Sequence, residues 1–171
     1  GAFILTNSGQ VAPNSEHRLL STVLCQLQGQ RTYALEGSVF VAGSLMQWLR
    51  DAIGLLKFAG ESEELARSVS HNGGVYLVPA LSGLGAPHWR ADASATISGL
   101  SFSATKAHIV RAALEAMAHQ CHDLKTAFSG DGVDWRSLRI DGGLVANDGM
   151  VPGLSNLLNF PRESPEFFES T

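Results

Sequence analysis

A chain of 171 residues, 44% hydrophobic and 16% charged, is long enough to bury one substantial core and too apolar to be disordered. A formal net charge of −4, a pI near 5.8 and the absence of any basic run exclude an electrostatic footprint for nucleic acid or an acidic membrane surface. No apolar stretch reaches the ~20 residues of a membrane helix. The two cysteines, Cys25 and Cys121, form no CxxC or metal-type spacing and read as buried free thiols of a reducing, cytoplasmic compartment.

The first forty residues predict three strands. Residues 2–6 are apolar and β-branched, closed by Asn7-Ser8-Gly9; 20–27 and 31–41 follow, the last interrupted by Gly37. Three successive strands with turn clusters between them predict an antiparallel meander. A helix begins near Gly43 and carries Leu45, Leu49, Ala52, Ile53 and Leu56 on its apolar face, with Trp48 beside them. Residues 61–69 predict a shorter, polar helix ended by His71-Asn72-Gly73-Gly74, and 75–79 a strand closed by Pro79. A loop rich in Gly, Ser and Pro runs from 81 to about 94.

The clearest helix holds Val110, Leu114, Met117, Cys121, Leu124 and Phe128 on one stripe, with Ser103 or Thr105 as N-cap and Ser129-Gly130 as its stop. A strand at 137–140 runs into Asp141-Gly142-Gly143, and a last helix carries Val151, Leu154, Leu157 and Leu158. The order reads as one α/β domain with a mixed sheet.

Among segments able to carry chemistry, Asp141-Gly142-Gly143 stands first. A glycine pair at a strand end lets backbone N–H groups approach a phosphate or base edge; equally, it serves a turn that needs positive φ. Asn147 either hydrogen-bonds a base or caps the next helix. The Gly83-Leu84-Gly85-Ala86-Pro87 loop lacks the remaining residues of a dinucleotide fingerprint or a P-loop and reads as structural. His119 and His122 lie one turn apart, but no carboxylate or cysteine set completes a metal site. No serine sits in a GxSxG elbow, so a hydrolase triad has no support. Trp48 and Trp89 read as packing residues.

Residues 95–115 carry a longer pattern: a small residue, Ile97, Gly99-Leu100, a seven-residue spacer, His108-Ile109, then Ala112-Ala113-Leu114-Glu115. It resembles the second signature of the FGGY carbohydrate kinases. Segments 33–43 (YALEGSVFVAG), 47–51 (QWLRD), 83–87 (GLGAP) and 138–147 (LRIDGGLVAN) resemble its glycerol-phosphorylating members. The resemblance implies a ribonuclease H-like α/β fold of the actin, hexokinase and Hsp70 type: a three-stranded meander followed by alternating helices and strands in a mixed sheet. Residues 1–171 are then expected to be a single C-terminal nucleotide-binding domain, with the N-terminal substrate domain absent and the last helices truncated.

The expected reaction is ATP-dependent phosphorylation of glycerol to glycerol 3-phosphate, with Mg²⁺ helping to neutralise charge and an aspartate as general base. A kinase for another polyol or sugar, or a non-catalytic nucleotide-binding module, is the alternative. The resemblance implies nucleotide contacts at Gly43, Gln47, Gly143 and Asn147, with Asp141 and Gly142 in support; Gly43 otherwise serves helix-start geometry and Gln47 a solvated face. It implies no catalytic residue and no metal ligand in this chain, the general base belonging to the N-terminal part. The expected partners are the nucleotide, a polyol and that N-terminal domain, with self-association left open. Two segments depart from the family: His88-Trp89-Arg90-Ala91 stands in place of tyrosine, tryptophan, aspartate, proline, and Ser101-Phe102-Ser103 in place of threonine, arginine, glycine.

Overall fold

A computed structural model describes residues 1–58, 60–135, 138–139 and 162–163. Strands β1 (Ala2–Gly9), β2 (Leu20–Leu27) and β3 (Gln30–Val39) form an antiparallel sheet. Its order is β1-β3-β2, which corrects the expected meander. The physical reason is the unequal connections. β2 and β3 are joined by Gln28 and Gly29, both at positive φ (50° and 81°), the signature of a tight hairpin turn. The segment 10–19, with Pro13, is long enough to carry the chain past β3 to its far side. β3 thereby becomes central, and Ala34, Leu35, Gly37, Ser38 and Val39 are its buried residues.

Cys25 is exposed, another correction. It lies on edge strand β2 beyond a register shift between Val23 and Cys25, whereas the core lies against the other half of β3.

Helix α1 (Gly43–Asp51) is shorter than its apolar pattern suggests. Gly54 takes a φ of 72°, and the Leu55 amide donates to the Leu49 carbonyl at 2.8 Å, closing the helix in a reversal of direction. Ile53 is left exposed, while Leu56 re-enters the core from the following loop. Helix α2 (Glu61–Arg67) opens on Glu61, Glu63 and Glu64, which suit the positive end of its dipole. Strand β4 (Tyr76–Val78) pairs antiparallel with β5 (Thr96–Ser98), a strand too short to register in the sequence pattern.

Helix α3 (Lys106–Gly130) starts after Thr105 and ends where its stop signal stands. Every residue of its expected stripe is buried. Burial pushes the Cys121 thiol up to about 11, so it is chemically quiet. Strand β6 (Leu138–Arg139) pairs in parallel with β7 (Arg162–Glu163), so both senses of pairing occur among the described strands. Asp141, Gly142, Gly143, Asn147 and the helix expected around residues 151–158 lie outside the described residues.

Two buried clusters share α3. One joins its first half to α1 and β4 through Leu45, Leu49, Leu77, Val110 and Met117; the other joins its second half to β3 through Leu35, Val39, Leu124 and Phe128. Gly37 explains itself here. A Cβ on it would lie 2.8 Å from Leu124 Cδ2 and 3.2 Å from Phe128 Cε2, so its bare backbone is what lets α3 approach the sheet. Gly37→Ala is expected to lower stability by about 1–2 kcal/mol through overpacking, read as a lower urea midpoint at unchanged slope. An unshifted midpoint would contradict this packing.

Candidate functional site

The strongest candidate lies where β3 turns into α1. Val41 and Ala42 are buried, anchoring the turn; Gly43 is half-buried, and Ser44 and Gln47 are exposed. Gly43 and Gln47 are four residues apart on a helix, hence on one side of it. No side chain caps this helix: the residue in the cap position is Ala42. The first-turn N–H groups of α1 therefore have no capping oxygen of the usual kind. The start of β1 meets the same place, since a Cβ on Gly1 would lie 2.9 Å from the Val39 carbonyl oxygen and 3.4 Å from that of Phe40. At the far end of α1, Arg50 grips Asp51 through two bonds of 2.6 and 2.8 Å.

Of the residues expected to bind, the structure thus places Gly43 and Gln47 together at an open helix start. Gly143 and Asn147, with Asp141 and Gly142, lie outside the described residues.

The 83–87 loop docks directly beneath that turn. Gly83 takes a φ of 77°, and the Ala86 amide donates to the Ser38 carbonyl at 3.0 Å. A Cβ on Gly85 would collide with that same carbonyl, so only glycine allows the loop to lie so close. Leu84 and Arg90 exchange backbone hydrogen bonds of 2.9 and 3.0 Å across the loop. The segment that departs from the family is internally answered. His88 pairs with Asp123 on α3 at 3.0 Å. Arg90 pairs with Asp92 at 2.8 and 2.9 Å, and its hydrogen bonds hold the Asp92 carboxyl down to about 2.

The signature at 95–115 clamps neighbouring elements together. Gly99, at a φ of 76°, lies against the Gly74 carbonyl so closely that a Cβ would overlap it. His108 Nδ1 accepts from the Thr105 amide at 3.1 Å, completing the start of α3 in the manner of a capping box, while its ring covers Gly73. Glu115 takes Arg111 at 2.8 Å and Asn72 at 2.9 Å, and Arg111 also donates to the Val69 carbonyl at 2.7 Å. The polar members of the pattern therefore tie the 69–74 turn to α3. His119 and His122 are exposed, and no group of three or more His, Cys, Asp or Glu able to hold a metal exists among the described residues. No helix among them is long and apolar enough to cross a membrane.

Sequence reasoning missed one polar centre, Asp131, whose nearly buried carboxylate binds Ser15 and His17 across the molecule; no local pattern announces it.

The comparisons with known proteins agree on one family. Residues 1–171 match the model of the FGGY family of carbohydrate kinases, C-terminal domain. The chain is 48% identical over 171 residues to a glycerol kinase of Rhodospirillum centenum, covering all of this chain and 34% of that protein. It is 48% identical over 177 residues to one of Synechocystis, covering 36% of it. Among solved structures, Plasmodium falciparum glycerol kinase with ADP superposes at a TM-score of 0.87 and 34% identity, over 98% of this chain and 34% of that one. A ligand-bound xylulose kinase from Lactobacillus acidophilus shares the fold at a TM-score of 0.78 and 20% identity, over 98% of this chain and 34% of that one. The chain spans about a third of the length of the curated relatives it matches.

Proposed function

The chain belongs to the FGGY family of carbohydrate kinases, and we propose that it is the nucleotide-binding part of an enzyme that transfers the γ-phosphoryl group of ATP to glycerol. Its fold is the actin and hexokinase type of that family. The observation that carries the reading is the 48% identity to glycerol kinases across the entire chain. The open start of α1 gives it a physical basis.

In this reading Gly43 lets the nucleotide approach the helix backbone without a side chain intervening. Gln47, one turn along, offers an amide that both donates and accepts. Gly143 and Asn147 supply the adenosine-binding turn, with Asp141 and Gly142 shaping it. Phosphoryl transfer is mostly positioning and charge neutralisation, and this chain provides the positioning of the nucleotide. The general base and the polyol contacts belong to the part of the relatives that this chain does not span, so that part is its necessary partner. Mg²⁺ enters with the nucleotide phosphates; the described residues gather no ligand set for it on their own. The setting is cytoplasmic.

Calorimetric titration of ADP and ATP, with Mg²⁺, into this chain and into a Gln47→Ala, Asn147→Ala double variant tests the reading. Two lost hydrogen bonds at about 1 kcal/mol each weaken binding roughly thirtyfold. Glycerol is not phosphorylated by this chain alone. Equal affinity of the two proteins, or no binding at millimolar nucleotide, speaks against these contacts.

A further inference from the structure

We propose that Trp89 is a positioning residue for the nucleotide-facing end of α1, acting through Phe40; this rests on the reading of Gly43 and Gln47 as nucleotide contacts. Trp89 takes a φ of 50°, a conformation that a bulky side chain holds only where its surroundings enforce it. Three contacts do so. Its amide donates to the Gly85 carbonyl at 2.9 Å. Its indole Nε1 donates to the Arg18 carbonyl at 2.7 Å, and Arg18 itself has a φ of 66°. Its ring meets Phe40 edge-on, with centroids 6.1 Å apart and planes at 70°.

Phe40 is the residue between the end of β3 and the buried Val41 and Ala42 that lead into Gly43. Its ring also lies against Gly85, where a Cβ would come within 3.1 Å of it. The 10–19 segment, the 83–90 loop and the end of β3 therefore lock at one side chain, three residues before the helix start. α1 has no side-chain cap of its own, so the direction of its first N–H groups is set from outside the helix. Trp89 does the setting. A ring pinned at a strained backbone position cannot drift, and the strand end that leans on it cannot either.

The test is amide hydrogen exchange at residues 41–45, measured together with ADP affinity. Trp89→Phe keeps a ring against Phe40 and removes the donor to Arg18; Phe40→Leu removes the aromatic edge and leaves Trp89 intact. Trp135→Phe is the control, since Trp135 packs on Phe128 at 5.1 Å and donates to Thr6 Oγ1 at 3.2 Å. We expect exchange at 41–45 to accelerate about tenfold in both test variants and to stay unchanged in the control, compared at equal distance below each melting temperature. ADP affinity falls roughly three- to tenfold in the same two variants. Exchange at 41–45 that is unchanged in both, or raised equally in the control, overturns the proposal. Accelerated exchange in a set of proteins none of which binds ADP leaves the positioning role standing and removes the nucleotide reading instead.

Discussion

Adding one methyl group at Gly99 is expected to remove about 3–5 kcal/mol of stability, whereas the same change at Gly74 removes only about 1–2 kcal/mol. Both glycines sit at positive φ, 76° and 82°, so both substitutions impose the same left-handed penalty on alanine. They differ in what the new Cβ meets. At Gly74 nothing lies within 4 Å; at Gly99 the Cβ overlaps the Gly74 carbonyl oxygen and approaches its carbon at 2.8 Å. That carbonyl cannot retreat freely. The turn bearing it is closed by the Val75 amide on the Asn72 carbonyl at 3.0 Å, and Asn72 is fastened to Glu115. A loss of 3–5 kcal/mol is a large share of the ~5–15 kcal/mol that holds a domain folded. It corresponds to a fall in Tm of about 10 °C for a chain of this size. Thermal melts of Gly99→Ala and Gly74→Ala side by side decide the matter. Equal losses would mean that the conformational penalty is the whole effect and that the close approach is not what Gly99 is for.

That pair of glycines also shows what a sequence can and cannot display. Gly99 belongs to a recognisable signature, yet its partner lies in a turn that the pattern does not contain. Elements defined by their own side chains were legible. β2 spans the residues its apolar run marks, and the stripe of α3 from Val110 to Phe128 is buried throughout. Features set by neighbours were not. The β1-β3-β2 order follows from connection length and not from any residue in the strands. Cys25 has apolar neighbours in sequence but lies on an edge strand with water beside it. Ile53 fits the helical period of α1, but the helix ends before reaching it. For the candidate site, Gly43 and Gln47 are ordinary residues for a helix start, and only the family resemblance singled them out; their shared open face is a tertiary fact.

Asp131 is the second place where a large effect is expected, and its pH dependence fixes its sign. The carboxylate, 5% exposed, accepts from the Ser15 hydroxyl at 2.5 Å, the Glu16 amide at 2.9 Å, the His17 amide at 3.2 Å and His17 Nδ1 at 2.8 Å. It thereby fastens the 10–19 segment to the end of α3. Burial by itself pushes this carboxyl up, but the hydrogen bonds from Ser15, His17 and the Glu16 amide, with the charge of His17, hold it below its ordinary value. A carboxylate depressed in the folded state contributes stability that is fully present above its unfolded pKa of about 3.9. That contribution is lost as pH falls through the lower, folded value. Asp131→Ala strands a hydroxyl and two amides and is expected to cost about 2–3 kcal/mol at pH 7. The amount is limited because Glu16 and His17 are exposed and water can replace part of what is lost. The difference between wild type and Asp131→Ala should not shrink from pH 7 down to about pH 4, and should shrink steadily below it. A gap still undiminished at pH 2.5 would show that the loss comes from missing side-chain packing, and that the negative charge of Asp131 is not what holds the segment.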